Sequence, residues 1–248
     1  MKSLVYYIFA GLGFALGYPF YKNHFSLLAP IIGNVLFYHA LLIFFIRPGS
    51  KKRFVILGTL CSLFIANIIG FSWIPNAINL FSGLSGVRAF LVNTFFIILS
   101  YPPIWVIVII ILICKKPKIK KRIISFYNRY SLHTPVLFAT LLILIGDSIP
   151  TLFPIKVGSS WIRFAPYLGL APYFGIHFYS FLTHFISLEV LKYFHTKKCS
   201  LPSLLVLFLI FCFHLIFPLR PPENQSQINV RLIPVSYTHL TLPTIYSV

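Results

Sequence analysis

The sequence predicts an all-α integral membrane protein, a bundle of seven transmembrane helices with its N-terminus in the cytoplasm and its C-terminus outside. The first indication is composition, because 58% of the 248 residues are hydrophobic and only 10% are charged. A soluble domain has a much more polar balance. The second is a series of apolar runs near the length that crosses a hydrocarbon core of about 30 Å. The third is that basic residues concentrate in alternate loops.

Seven apolar runs follow one another through 1–217, the predicted transmembrane domain. They cover 4–20, 25–46, 54–74, 89–114, 134–153, 168–194 and 201–217. Pro102 and Pro103 lie near the middle of the fourth run and remove helix hydrogen bonds, so we expect a break there. Gly13 and Gly17, four residues apart in the first run, predict close approach of a neighbouring helix. No small-x-small cleavage site follows this run, which is therefore interpreted as a retained helix.

The distribution of basic residues sets the predicted orientation. With the N-terminus inside, the cytoplasmic segments contain 15 of the 21 lysine and arginine residues, as the positive-inside rule requires. This bias accounts for the net charge of +18 without any nucleic-acid partner. The densest stretch, 115–122, has two interpretations. It is a topology determinant, or it also docks on anionic lipid.

Composition changes after the seventh run. Segment 218–227 is polar and proline-rich, as a linker is, and 228–234 alternates as the first strand of an outside domain does. Residues 235–248 are interpreted as an artefact, because 235–244 match the translation of an adapter used in sequencing libraries. The natural protein is then expected to continue beyond Pro234. The alternative is an ordinary outside tail.

Asp147 is the only acid deep within an apolar run. An intramembrane carboxylate costs about 2.5–3.5 kcal/mol on insertion scales, so it is a candidate functional residue by default. The alternative is a neutral carboxyl group, or one that reaches the outer water. Lys156 and Arg163 in the following loop are the candidate partners.

The remaining polar residues predict no catalytic centre. His177 and His184 share a helix face but lie about 10 Å apart, too far to hold one metal ion. Glu189 and Lys192 have the spacing of an ion pair. The four cysteines lack metal-type spacing and a base nearby in sequence, and no HExxH, P-loop, GxGxxG or GxSxG motif occurs. We therefore predict no catalytic residue, no metal site and no cofactor in this chain.

Four stretches carry a resemblance to a known family. They are the small-residue first helix 11–20 with its Pro-Phe end, Leu-Ala-Pro at 28–30, Gly-Phe-Ser-Trp-Ile at 70–74, and Phe153-Pro154 with Gly158, followed by Ala171, Gly175, Tyr179 and Ser180. On these stretches, residues 8–234 resemble the N-terminal membrane half of bacterial apolipoprotein N-acyltransferase. Two departures are Ile155, where the family has Trp, and Asp147, where the family tends to have Glu followed by Arg.

The resemblance implies a multi-pass protein of the bacterial inner membrane, in which 228–234 begin a nitrilase-like α/β domain that is missing here. The parent enzyme would transfer a phospholipid acyl chain to the N-terminal diacylglyceryl-Cys of lipoproteins, through a cysteine thioester assisted by a Glu base and a Lys. Those residues belong to the missing domain, so this chain is expected to be inactive. Its implied partners are membrane phospholipid and, through the missing domain, lipoprotein. The lipid-positioning candidates are Trp73, Asp147, Phe153, Pro154 and Gly158.

Three other hypotheses remain open from the sequence. A small transporter would have paired intramembrane charges and repeated half-structures, whereas the sequence has one deep acid and no internal repeat. A membrane assembly subunit fits the small-residue packing pattern. A related glycan-pathway fusion with a similar membrane half would be distinguished by its missing domain.

Overall fold

The computed structural model describes residues 2–17, 28–84, 86–129, 133–149, 156–161 and 171–197, together with 205, 208, 209 and 212. Within these residues all regular structure is helical and there is no strand. The predicted linker, the predicted strand at 228–234 and the segment 235–248 lie outside the described residues. So does most of the seventh apolar run, whose four described residues are helical.

Nine α-helices are described. They are α1 Lys2–Leu16, α2 Leu28–Ile46, α3 Lys52–Gly70, α4 Ile74–Ser82, α5 Val87–Ser100, α6 Pro102–Cys114, α7 Pro117–Arg129, α8 Thr134–Ser148 and α9 Ala171–Thr196. By length and composition, α2 and α3, of 19 residues each, can cross a membrane. Helices α1, α6 and α8 are shorter apolar helices.

Helix α1 packs between α2 and α3 through glycines. A Cβ on Gly13 would lie 2.7 Å from the Cα of Gly33, and one on Gly11 would lie 2.6 Å from the carbonyl oxygen of Ser62. A Cβ on Gly17 would likewise collide with the ring of Pro30. These backbone approaches confirm the close packing that the glycine spacing in the first run predicts.

The fourth apolar run is broken at its prolines, as predicted. Helix α5 ends at Ser100 and Tyr101 has φ −123° and ψ 38°, outside the helical region. Helix α6 then begins at Pro102. Proline suits the first turn of a helix because its missing N–H has no partner there in any case.

Helices α4 and α7 were not predicted as separate elements. The third apolar run was expected to reach Ile74, but α3 ends at Gly70 and a turn leads directly into α4. Helix α4 ends at Ser82 and is capped by Gly83, whose φ of 68° is the left-handed conformation that glycine adopts readily. Helix α7 forms in the basic segment after α6. Its apolar residues are few and lie among lysines and arginines, so the short amphipathic pattern was not recognised in the sequence.

Helix α9 packs against both α2 and α8 and closes the bundle. It is kinked at Gly175, whose φ of 60° and ψ of −165° interrupt the helical backbone. The Ser187 hydroxyl donates to the carbonyl oxygen of Ile31 at 3.2 Å, which ties α9 to α2. Near its end, Glu189 and Lys192 approach to 3.8 Å and confirm the predicted ion pair.

Candidate functional site

A cavity of about 150 Å³ lies among α1, α2, α3, α6, α8, α9 and the 3₁₀ turn at 157–161. Most of its wall is apolar. Representative wall residues are Phe14, Phe37, Leu63, Ile104, Ile107 and Leu142. Tyr101 and Pro103 also line it, so the break between α5 and α6 forms part of the wall. Small apolar ligands bind in cavities of this character, with a few polar groups to orient them.

Charged side chains lie where α8 ends at the cavity. Asp147 forms an ion pair with Lys156, which confirms one of its two predicted partners. Arg163, the other, lies outside the described residues. The second carboxylate oxygen of Asp147 is 2.9 Å from Nδ1 of His177 on α9. Lys156 also donates to the carbonyl oxygen of Gly146 at 3.3 Å. With its side chain 35% exposed, Asp147 is a partnered carboxylate and carries no full burial cost.

Two polar residues that line the cavity from α2, Asn34 and Tyr38, were not predicted from the sequence. Asn34 is 3% exposed, and its side-chain amide nitrogen has no hydrogen-bond partner among the described residues. Further along the same wall, the Tyr38 hydroxyl and His184 Nδ1 are hydrogen-bonded at 2.7 Å. Asn34 could have been identified from the sequence as an amide within an apolar run. Burying an amide in such a run costs free energy unless it is hydrogen-bonded, so its presence indicates a polar site. The Tyr38–His184 contact, by contrast, depends on helix packing.

Gly158 positions the turn that carries Lys156. Its N–H donates to the Ser180 hydroxyl at 3.0 Å, and a Cβ there would lie 2.5 Å from the carbonyl oxygen of Ile176. In the same turn, the Trp161 indole donates to Thr183 Oγ1 at 2.8 Å. Gly158 itself does not line the cavity. Only glycine allows the turn to lie this close to the backbone of α9.

The other predicted positions fall elsewhere. Trp73 precedes α4, is 44% exposed and does not line the cavity. Phe153 and Pro154 lie outside the described residues. The structure therefore brings Asp147, Lys156 and His177 together and leaves Trp73 apart from them. The role of all five candidates in lipid positioning stays a prediction.

The described part of the chain offers no metal centre and no cysteine paired with a base. No group of three or more His, Cys, Asp or Glu side chains there could hold a metal ion. Cys61, Cys114 and Cys212 are free, and none of these three makes a hydrogen bond to a base. The cavity combines apolar walls, a buried amide and an ion pair at its edge, which are features of a small-molecule binding site.

The described residues form an apolar helical bundle that encloses a small cavity with an ion pair at its edge. Against known families, residues 10–188 match the model of the apolipoprotein N-acyltransferase N-terminal domain. The chain belongs to this family, which confirms the resemblance drawn from its motifs. A search of curated proteins gave no match, and a search of solved structures gave none.

Proposed function

We propose that this chain is the membrane-embedded part of an apolipoprotein N-acyltransferase and that its cavity holds an acyl chain of a membrane phospholipid. Family membership supports the acyltransferase assignment. The two helices of spanning length, α2 and α3, support embedding in the membrane. In the parent enzyme the acyl chain passes from phospholipid to the N-terminal diacylglyceryl-Cys of a lipoprotein.

The proposed topology has seven spans in the bacterial inner membrane, with the N-terminus in the cytoplasm. The spans are α1, α2, α3, the broken pair α5–α6, α8, α9 and the apolar run at 201–217. The concentration of basic residues in alternate loops supports this orientation. It leaves α4 on the outer side and α7 on the inner side.

The observation that carries the proposal is the combination of an apolar cavity with the Asp147–Lys156 pair at its edge. In the proposed topology this edge faces the outer leaflet, because α8 runs outward and ends beside Asp147. An ammonium group has three donors. Among the described residues Lys156 donates to Asp147 and Gly146, which leaves one donor for a headgroup phosphate.

We propose that the described helices bind and orient the lipid but do not themselves transfer the acyl chain. The absence of a cysteine paired with a base among the described residues supports this division. The chemistry and the lipoprotein contact would belong to the nitrilase-like domain of the parent, and the chain alone would be inactive. No nucleic acid and no cofactor enter this scheme.

Photocrosslinking tests lipid binding. The purified chain in nanodiscs is exposed to a phospholipid with a photoactivatable acyl chain, and the crosslinked peptides are mapped by mass spectrometry. Leu142→Trp fills the cavity, whereas Leu141→Trp adds the same bulk on the neighbouring exposed face. We expect crosslinks at cavity residues to disappear only in Leu142→Trp, with no lysophospholipid formed by any variant. Equal crosslinking of both variants at the cavity would refute the proposed site.

A further inference from the structure

We propose that α7 is an interfacial anchor that binds anionic lipid headgroups of the cytoplasmic leaflet. The inference rests on the proposed membrane embedding and orientation but not on the lipid cavity or on acyl transfer. Three observations carry it. They are the two faces of α7, the attachment of this helix to the inner end of α2, and basic side chains that no described carboxylate neutralises.

Helix α7 separates charge from apolar surface. One face carries Lys118, Lys121, Arg122 and Ser125, and a second face, roughly a third of a turn away, carries Ile119, Ile123 and Phe126. Each set recurs at spacings of three and four residues, which places its members on one side of a helix. A helix with a basic face and an apolar face lies in the plane of a membrane surface, with the apolar face toward the acyl chains.

Two lysines attach α7 to the inner end of α2. Lys120 Nζ donates to the carbonyl oxygen of Ile46 at 2.8 Å. Lys115, in the turn before α7, donates to the carbonyl oxygen of Phe44 at 2.8 Å and lies 3.7 Å from the centre of its ring. Carbonyl oxygens at the end of a helix lack helical donors and attract cations. These contacts therefore provide hydrogen-bond donors for the last carbonyls of α2 and hold α7 beside it. In the proposed topology this is the level of the inner membrane surface.

Three other basic side chains of α7 have no countercharge within the described residues. Lys118, Lys121 and Arg122 are exposed and form no ion pair there. Of the three acids in the chain, Asp147 pairs with Lys156 and Glu189 pairs with Lys192. Glu223 lies outside the described residues. No carboxylate among the described residues neutralises this face, and the inner leaflet presents negative charge as lipid phosphate.

The apolar side of α7 distinguishes a lipid surface from a soluble polyanion. Phe126 is 46% exposed, and Ile119 and Ile123 are half-buried. A nucleic acid or an acidic protein would satisfy the basic face but leave these side chains in water. An anionic bilayer takes both, since headgroups meet the cations and the acyl boundary meets the apolar groups. Each basic residue near such a surface is expected to favour the docked state roughly fivefold.

A fluorescent probe on each face reads the docking directly. The full chain, with Cys61, Cys114, Cys199 and Cys212 replaced by serine, carries a bimane probe at Phe126→Cys or at Ser125→Cys. Nanodiscs contain brominated lipid, with either phosphatidylglycerol or phosphatidylcholine as the bulk lipid. We expect bromine to quench the probe at position 126 more than at 125, and more in phosphatidylglycerol. Nanodiscs expose both membrane faces, so the result does not depend on the orientation.

Charge variants separate lipid binding from simple burial. In K118Q/K121Q/R122Q we expect the docked-to-undocked ratio in phosphatidylglycerol to fall by roughly two orders of magnitude. The matched control K51Q/K52Q/R53Q removes the same charge at the start of α3 and should leave quenching at position 126 unchanged. Equal quenching in the two lipids, or no effect of the α7 triple variant, would overturn the proposal. Protection of position 126 from water without quenching would also overturn it, since the face would then pack against protein.

Discussion

The Asp147 carboxylate on α8 lies 2.9 Å from Nδ1 of His177 on α9, and its other oxygen pairs with Lys156. One acidic side chain therefore joins two helices and the turn between them at the edge of the cavity. A carboxylate in an apolar run had suggested either an isolated functional group or a water-exposed one. It proves to be the centre of a three-residue cluster, in which the sequence had identified Lys156 but not His177.

Asp147→Asn tests this cluster. The amide keeps the size of the side chain but loses the ion pair with Lys156 and the negative charge beside His177, so α8 and the Lys156 turn become less tightly joined. Because the group is partly exposed, the free energy of unfolding should fall by only about 0–1 kcal/mol. Crosslinking of lipid at the cavity should fall as well, because Lys156 is no longer held at its edge. A variant with unchanged crosslinking and normal stability would leave the cluster without a role in lipid positioning.

Gly158→Ala should destabilise the protein. The added Cβ would lie 2.5 Å from the carbonyl oxygen of Ile176 and 2.6 Å from the backbone nitrogen of Ser180, and neither atom belongs to a flexible side chain. We expect a loss of roughly 1–3 kcal/mol, measured by thermal unfolding in detergent. Gly146→Ala is the matched control, because its Cβ would meet nothing within 4 Å and alanine favours a helix interior. Equal effects of the two substitutions would contradict the close packing at Gly158.

Asn34→Leu should stabilise the protein while weakening its lipid contact. The buried amide nitrogen has no described partner, so an apolar replacement removes a desolvation cost. Asn67→Leu is the contrasting variant, because the Asn67 amide donates to Asn93 Oδ1 at 3.0 Å. Its loss should cost roughly 1–3 kcal/mol. If Asn34→Leu destabilises the protein as Asn67→Leu does, the Asn34 amide already has a partner in the free protein.

Cysteine labelling tests the proposed orientation. Ser82→Cys at the end of α4 should react with an impermeant maleimide added outside intact cells. Lys118→Cys on α7 should react only after the cells are opened, because the positive-inside bias assigns this helix to the cytoplasm. Reaction of both positions from outside would disprove the proposed number of spans between them.

Sequence patterns predicted the elements that depend on local chemistry. The apolar runs anticipated α1, α2, α3, α8 and α9, and Pro102-Pro103 anticipated the break before α6. Helix α7 was not predicted, because four basic residues within five positions make its few apolar residues look like part of a charged loop. The Tyr38–His184 hydrogen bond joins residues 146 positions apart. Its prediction would require knowledge that α2 and α9 are neighbours, which periodicity within either helix does not contain.

The position of α1 between α2 and α3 has a consequence for the order of assembly during synthesis. Neighbours in sequence form the first pair, since α1 and α2 can interlock through Gly13 and Gly33 as soon as both have emerged. Helix α3 then has to dock on the opposite side of α1, where Gly11 meets Ser62 and Gly58 meets the ring of Tyr7. Helix α1 must therefore keep one side open until α3 arrives, and any factor that covers this side in the meantime would delay maturation.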